Sequence, residues 1–207
     1  MNTPHETEPH AKRDTILAAA QNAFLRDGYD AANMESIAQE AAVSKQTIYN
    51  HFGSKEDLFR AIVEARCENL SVALDHEFLD QGDDPERVLS AFGETVLEAM
   101  LSRENMRMHR LLQNEGRRYP RLAEIFYRQG PDSAANRLAK YLAEQTTKGR
   151  LAVKDPRIAA EQFVTMLSGH LRLRHLIGLA DPPTPDKRKQ YVANAVHLFL
   201  NGARPRT

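Results

Sequence analysis

The 207-residue chain has no tryptophan, one cysteine and no net formal charge, since 28 lysines and arginines balance 28 aspartates and glutamates. The lack of tryptophan excludes a sugar-binding groove built on stacked indole rings. The single Cys67 excludes an intramolecular disulfide and fits a reducing compartment such as the cytoplasm. The neutral total excludes a basic tail that binds nucleic acid and an acidic disordered segment, but it allows a local basic patch.

Long apolar runs are absent as well. No run approaches the roughly 20 residues that span a bilayer. The polar residues 1–10 include Glu6 and Glu8 and do not form a signal peptide. We therefore expect no membrane partner, and the 42% of hydrophobic residues is typical of a globular protein.

Helical periodicity dominates the remaining sequence. Nowhere do apolar and polar residues alternate with β-branched enrichment, so the sequence predicts an all-α fold with about nine helices. One long stretch, residues 120–148, must kink or break at Gly130-Pro131 because proline lacks the backbone donor. The last two long helices are predicted at about 157–179 and 186–201.

Two short helical patterns lie unusually close together. Asn33 is a candidate N-cap for a helix that ends near Ala41, and Ser44 is a candidate N-cap for a helix at 45–51. Only the three residues 42–44 separate them. This spacing predicts a helix-turn-helix, whose second helix enters the major groove of DNA.

The polar residues on the second helix suit base reading. Lys45 can donate to guanine, Gln46 can pair with adenine through two hydrogen bonds, and the methyl of Thr47 can meet that of thymine. Alone, such a polar run is usually a solvated helix face. Its place in the whole pattern favours DNA binding.

Three further side chains are candidate phosphate donors. Lys55 follows the N-cap Ser54, where free amides and the helix dipole favour the same anion. An alternative interpretation of Tyr49 is a core aromatic. An alternative interpretation of His51 is a residue that caps a helix or packs within the domain. The candidate DNA-binding residues are Asn33, Ser44, Lys45, Gln46, Thr47, Tyr49, Asn50, His51 and Lys55.

Residues 43–59 resemble the signature of TetR-type transcriptional regulators, V-S-x-x-T-[IL]-Y-x-[HY]-F-x-S-K-x-x-L. Upstream, Ala23-Phe24, Gly28-Tyr29 and Ile37-Ala38 are similar to the first two helices of the family. The close resemblance covers roughly residues 11–60. The later run from Tyr119 to Leu151 resembles, less closely, the AefR-like type of C-terminal domain.

Two residues depart from the family pattern. Ala42 stands where the family usually has glycine, and in a left-handed conformation alanine costs about 1 kcal/mol more than glycine. Gln46 also stands where glycine is common. Its amide can add a base contact, so we expect an operator preference different from that of relatives.

The resemblance implies two domains, a helix-turn-helix domain at residues 1–60 and a ligand-binding and dimerisation domain at 61–207. It implies a homodimer that binds a palindromic operator and that a small apolar or amphipathic effector releases. The usual role would be repression, for example of an efflux system. Activation is an alternative that leaves the DNA binding unchanged.

The resemblance also implies an effector pocket and a dimerising four-helix bundle in the C-terminal domain. An ordinary core is an equally good interpretation of each apolar residue there, and His170 and Arg174 are candidate polar anchors. The candidate ligand-binding residues are Phe92, Met100, Met106, Met108, Phe126, Phe163, Met166, His170 and Arg174. The candidate dimer residues are Leu167, Leu171, Tyr191, Ala195, Leu198 and Phe199.

A helical enzyme or ligand carrier is the competing interpretation. It requires a catalytic constellation, and no catalytic Ser/His/Asp order, phosphate-binding glycine loop or carboxylate pair stands out. His170 and His175 are five residues apart, which is not a metal-ligand spacing. We therefore expect no catalytic residues, metal or cofactor.

The charge is distributed unevenly along the chain. Residues 1–60 contain six basic and nine acidic residues, so the predicted DNA-binding part is net acidic. A few placed donors must therefore make the phosphate contacts, and the salt dependence of binding should be modest.

Overall fold

The computed structural model describes residues 7–80, 84–179 and 181–203, and over these ranges the chain contains helices and no strand. The helices are α1 (Thr7–Asp27), α2 (Met34–Glu40), α3 (Lys45–Phe52), α4 (Lys55–Asp80), α5 (Pro85–Leu101), α6 (Arg103–Glu115), α7 (Pro120–Tyr127), α8 (Ser133–Thr147), α9 (Pro156–Leu176) and α10 (Pro185–Ala203).

A π-helical turn, Arg128–Asp132, separates α7 from α8 and contains Pro131. The predicted break at Gly130-Pro131 therefore takes the form of a wider helical turn within a continuous helical path. When α7, this turn and α8 are counted as one interrupted helix, the described ranges hold nine helices. The prediction of an all-α fold with about nine helices is confirmed.

The two ends of α1 differ in how clearly the sequence marks them. Gly28 ends the helix at φ +86°, a left-handed conformation that glycine adopts without steric cost. The helix begins at Thr7, well before Ile16, where the apolar pattern begins. Apart from Pro9, the only apolar residue in 7–15 is Ala11. Hydrophobic periodicity therefore could not predict this part of the helix.

The chain divides into two compact units, whose boundaries differ from the predicted boundary at residue 60. Unit 1 comprises residues 1–67 and 107–129, and unit 2 comprises residues 68–106 and 130–207. Residues 107–129 join unit 1 because Met108, Leu111, Leu122 and Ile125 belong to its core. The helix-turn-helix therefore packs together with a segment that lies far away in the sequence.

Aromatic rings form the centre of unit 1. Phe24 and Phe59 are fully buried, with ring centroids 6.0 Å apart. Tyr29 lies edge-on to Phe59 at 5.9 Å and contacts Tyr119 at 4.9 Å. Ile48 of α3 is also fully buried in this core, so the face of α3 that carries it is fixed inward.

Unit 2 packs α5 against α9 and α10. Phe92 and Phe163 are buried, with ring centroids 6.3 Å apart. At Gly93, an added Cβ would lie 2.8 Å from Val192 and 2.9 Å from Leu167, so glycine allows the close approach of these helices. The core of unit 2 is thus tightly packed at this point.

The long helix α9 contains an internal break. Gly169 has φ +43° and ψ −133°, which is not a helical conformation. Exposed apolar residues lie on both sides of the break, since Ile158 and Met166 before it are 51% and 37% exposed and Leu173 after it is 53% exposed. The helix predicted at about 157–179 is present as Pro156–Leu176, with a break at Gly169 that the sequence did not predict.

Candidate nucleic-acid interface

The helices α2 and α3 start at the predicted caps. The Oδ1 atom of Asn33 accepts from the amide of Ser36 at 2.8 Å, and the Oγ atom of Ser44 accepts from the amide of Thr47 at 3.0 Å. The hydroxyls of Ser44 and Thr47 also share a hydrogen bond at 2.8 Å. The caps satisfy amides that each helix start leaves without a partner.

The turn between these helices requires a left-handed residue. Ala42 has φ +52°, and its amide donates to the carbonyl of Gln39 at 3.2 Å. Val43 follows, donates to the carbonyl of Ala38 at 2.9 Å and packs against the core of unit 1. The chain thus forms the turn with alanine at a position where the backbone favours glycine.

Opposite the buried Ile48, α3 exposes a polar face. Lys45, Gln46, Tyr49 and Asn50 are all exposed, and the exposed fraction of Tyr49 is 38%. This placement agrees with the surface interpretation of Tyr49. His51 is exposed too, with its ring beside Phe52, while Thr47 is half-buried next to its partner Ser44.

Two of these exposed side chains contact each other. The Nε2 atom of Gln46 donates to the Oδ1 atom of Asn50 at 2.8 Å, one helical turn further along. The predicted base-reading amide is therefore held by a neighbour on the same face.

Lys45 lies close to an acidic residue of α2. Its Nζ atom is 3.5 Å from the Oε2 atom of Glu35, and the two side chains are 50% and 81% exposed. An ion pair this exposed contributes little stability, typically about 0–1 kcal/mol. A DNA phosphate can therefore replace the carboxylate as the partner of Lys45.

Lys55 contacts its own unit. Its Nζ atom donates to the backbone carbonyl of Asp30 at 3.2 Å and lies 4.8 Å from the ring centroid of Tyr29. Partial burial lowers the pKa of Lys55, and the charges of Asp30 and Glu115 act in the opposite direction. This arrangement does not support the phosphate contact predicted for Lys55.

The carboxylate of Asp30 connects α1 and α2 with the residues just before α7. The hydroxyl of Tyr119 donates to Oδ1 of Asp30, and Arg118 donates from Nη1 to Oδ2 at 2.6 Å. The Tyr119 hydrogen bond lowers the pKa of Asp30, and the charge of Arg118 adds to this effect. Sequence reasoning missed this cluster, since no local pattern joins residues so far apart.

The candidate ligand-binding residues do not all lie in one unit. Met108 is buried in the core of unit 1, and Phe126 packs against that core. Phe92 and Phe163 lie in the core of unit 2, with Met100 packed against it. Met106, in the part of α6 assigned to unit 2, is buried.

Three further ligand candidates lie on the surface of α9. Met166 is 37% exposed, and His170 and Arg174 are also exposed. This exposure contradicts their predicted place inside an enclosed pocket. A surface groove of about 650 Å³ in unit 2 is lined by α8 and the start of α9, including Lys140 and Arg157, and none of the candidates lines it.

The candidate dimer residues fall into two groups. Leu167 and Ala195 are buried in the core of unit 2, so they are not on a surface that a second copy can reach, and that part of the prediction is wrong. Leu171, Tyr191 and Phe199 are half-buried against the same core, and Leu198 is 64% exposed. The large apolar residues that α9 does expose are Ile158, Met166 and Leu173, and Ile177 directly after the helix is exposed as well.

Two other kinds of site were sought in the described ranges. There, no group of three or more histidine, cysteine or acidic side chains is placed to hold a metal ion. Among the described helices, none combines the length and the apolar character needed to cross a membrane.

The geometry of α2, the turn and α3 defines a helix-turn-helix unit of a DNA-binding protein. The model of bacterial regulatory proteins of the tetR family matches residues 16–62, and the model of the AefR-like transcriptional repressor C-terminal domain matches residues 87–202, more than half of the chain. The chain belongs to the TetR family and is a DNA-binding transcriptional regulator.

Curated relatives match over a limited part of the chain. The chain is 35% identical over 80 residues to the transcriptional activator FasR of Mycolicibacterium smegmatis, covering 39% of this chain and 36% of FasR. It is 41% identical over 58 residues to the regulator UidR of Escherichia coli, covering 28% of this chain and 30% of UidR. The matches thus span about a third of these relatives.

Solved structures match over nearly the whole chain. A TetR-family regulator from Mesorhizobium loti is 25% identical with a TM-score of 0.84, covering 97% of this chain and 100% of that chain. The flavonoid-responsive regulator FrrA is 35% identical with a TM-score of 0.81, covering 96% of this chain and all of FrrA. The fold is thus that of known TetR-family regulators.

Proposed function

We propose that the protein is a homodimeric repressor that binds a palindromic operator and leaves it when a small amphipathic effector binds. The exposed polar face of α3, fixed by the buried Ile48 on its opposite side, carries this proposal. Each subunit presents Lys45 to Asn50 to one major groove. Half-sites are then about 34–36 Å apart along the DNA, one helical turn.

The exposed apolar side chains of α9 and α10 support the homodimer. Met166 and Leu173 of α9 are exposed, as is Ile177 directly after it, and Leu198 is the most exposed large apolar residue of α10. Exposed apolar side chains of this size are costly in water and are covered when two copies form a helical bundle. They replace Leu167 and Ala195 as the proposed dimer face.

The effector is proposed to be a small molecule with apolar rings and hydrogen-bonding groups. FrrA, which matches over nearly the whole chain, is described as flavonoid-responsive, and flavonoids have this amphipathic chemistry. An effector releases the operator only if it binds the DNA-incompetent state more tightly. A coupling free energy of about 1–3 kcal/mol changes the operator affinity 5–150-fold.

Repression is supported by the C-terminal family model, whose description names a transcriptional repressor. The match to the activator FasR covers 39% of the chain and therefore carries less weight on this point. The target is proposed to include an efflux system, a common arrangement for regulators that respond to amphipathic compounds. Binding to chromosomal DNA places the protein in the cytoplasm.

The test is a gel shift with duplex DNA from the intergenic regions beside the gene of this chain. We expect a specific complex at moderate salt, and a flavonoid such as quercetin, but not a simple sugar, should dissociate it. Loss of sequence-specific binding in these regions and in a randomised pool would refute the regulator proposal. Release by fatty acids alone would refute the proposal that the effector is a small molecule with apolar rings.

Whether the protein represses or activates its target needs a separate measurement. A reporter fused to the bound promoter should be more active in a strain that lacks the gene. Lower reporter activity in that strain would show activation instead. Complementation with a Tyr49→Ala variant, which we expect to bind DNA weakly, is the matched control.

A further inference from the structure

We propose that Asn50 fixes the amide of Gln46 in the orientation that reads adenine, so the two residues form one base-reading unit. This inference rests on the proposed operator binding. Both side chains are exposed on the same face of α3, four residues apart, and Nε2 of Gln46 donates to Oδ1 of Asn50 at 2.8 Å.

The hydrogen-bond inventory of the Gln46 amide decides which base it reads. Its Nε2 carries two hydrogens, and the bond to Asn50 uses one of them. One N–H and the Oε1 acceptor remain for DNA. In the major groove, adenine presents the N7 acceptor and the N6 donor, which match this remaining pair.

Guanine does not match the same amide. It presents two acceptors, N7 and O6, and needs two donors from the protein. Because Asn50 already holds one N–H of Gln46, only one donor is left for guanine. The bond within α3 therefore converts a flexible amide with several possible partners into a selector for adenine.

Neighbouring residues do not compete for this role. Ser44 engages both the amide and the hydroxyl of Thr47, and Lys45 lies 3.5 Å from Glu35. A free glutamine side chain also loses more rotational entropy on binding than one already held by a neighbour. Asn50 thus acts as a positioning residue for Gln46, whether or not its own Nδ2 also reaches the DNA.

The test uses the full-length protein and a duplex pool randomised over the length of two half-sites. The wild type should enrich sequences with adenine at one position of each half-site. Gln46→Ala and Asn50→Ala should both lose that preference, at the same position, by roughly tenfold in relative enrichment. Asn50→Asp keeps the acceptor and should keep the adenine preference, although its charge lowers the affinity for every sequence.

Two further readouts separate this role from a merely structural one. Replacing the selected adenine with 7-deazaadenine, which lacks the N7 acceptor, should weaken wild-type binding but leave Gln46→Ala and Asn50→Ala unaffected. The control Tyr49→Ala should lower the affinity without changing the selected sequence. Circular dichroism should show that all the variants fold.

Several results would overturn the inference. Retention of the adenine preference by Asn50→Ala would show that the residues act independently. Loss of a preference at a base pair that Gln46→Ala leaves unchanged would show the same. A Gln46-dependent preference for guanine would contradict the hydrogen-bond argument. A pool from which even the wild type enriches nothing would refute the proposed operator binding, and this inference with it.

Discussion

Arg118 donates from Nη1 to Oδ2 of Asp30 at 2.6 Å, joining residues that are 88 positions apart within unit 1. The hydroxyl of Tyr119 binds the other carboxylate oxygen, and Lys55 binds the backbone carbonyl of the same residue. Asp30 is thus the point where the helix-turn-helix region and the residues before α7 are held together.

Asp30→Asn should lower the stability of the protein in a pH-dependent manner. The pKa of Asp30 is lowered in the folded state, first by the Tyr119 hydrogen bond and also by the charge of Arg118. Its contribution is therefore fully present above the unfolded pKa of about 3.9 and is lost as the pH falls through the folded pKa. Thermal unfolding at pH 7 and at progressively lower pH should show a gap in Tm that closes in acid.

Tyr119→Phe is the control for this experiment, because it removes the hydrogen bond but retains the carboxylate and Arg118. It should show a smaller loss at pH 7 than Asp30→Asn. A Tm gap between Asp30→Asn and the wild type that stays constant from neutral to acidic pH would show that the charge of Asp30 is not the cause.

Ala42→Gly should stabilise the protein. The φ of +52° at Ala42 strains an alanine and suits glycine, while the greater freedom of glycine in the unfolded chain offsets part of the gain. The expected net increase in the free energy of unfolding is about 0.5–1 kcal/mol, measured by chemical denaturation.

Ala18→Gly, on an exposed position within α1, is the matched control. It should destabilise by about 1 kcal/mol, because the same substitution in a right-handed helix brings only the cost of glycine. Equal signs for the two variants would show that the turn at Ala42 is not strained.

Glu35→Gln should tighten DNA binding. It frees Lys45 from its partner at 3.5 Å and removes a negative charge from the start of α2. The value of an exposed ion pair suggests an increase in affinity of about two- to fivefold per subunit, measured by fluorescence anisotropy. Glu161→Gln changes the net charge equally, in unit 2, and should leave the affinity unchanged.

Lys55→Met separates an internal role from a phosphate contact. The ammonium contacts the Asp30 carbonyl and the Tyr29 ring, so the variant should lower Tm while the slope of log K against log salt stays the same. A slope reduced by about one per subunit would show that Lys55 neutralises a phosphate after all. Lys45→Met, on the exposed face of α3, should reduce the slope and serves as the positive control.

Leu173→Glu should break the dimer without unfolding the subunit. Leu173 is 53% exposed within the single chain, so a charge there is tolerated until a second copy covers it. Burying that charge without a partner costs at least about 3 kcal/mol, more than a hundredfold in the dimer Kd. Light scattering should report a monomer, whereas Tyr127→Glu, also at an exposed large side chain, should remain a dimer.

The part of the structure that the sequence predicted best is governed by short-range chemistry. The caps at Asn33 and Ser44 each involve residues three positions apart, and both are present as predicted. The cluster around Asp30 depends on contacts 88 and 89 positions away, which a single sequence does not display.

The helix α9 shows a different limit. A periodic pattern assumes one continuous helix, but Gly169 interrupts it with a non-helical conformation. The periodic pattern also groups Leu167 with Leu171 as dimer residues, but Leu167 is fully buried in the core of unit 2. The buried apolar residues of α9 pack within the chain, and its exposed apolar residues are proposed to contact a second chain.

The contact of Lys55 with Asp30, together with the acidic balance of residues 1–60, has a consequence for how the protein is distributed in a cell. Affinity for random DNA comes almost entirely from cations that neutralise phosphates, and the bacterial chromosome offers millions of such decoy sites. A DNA-binding surface with few available cations is held only briefly at those non-specific sites. We therefore expect a larger share of the molecules to stay free to find the proposed operator.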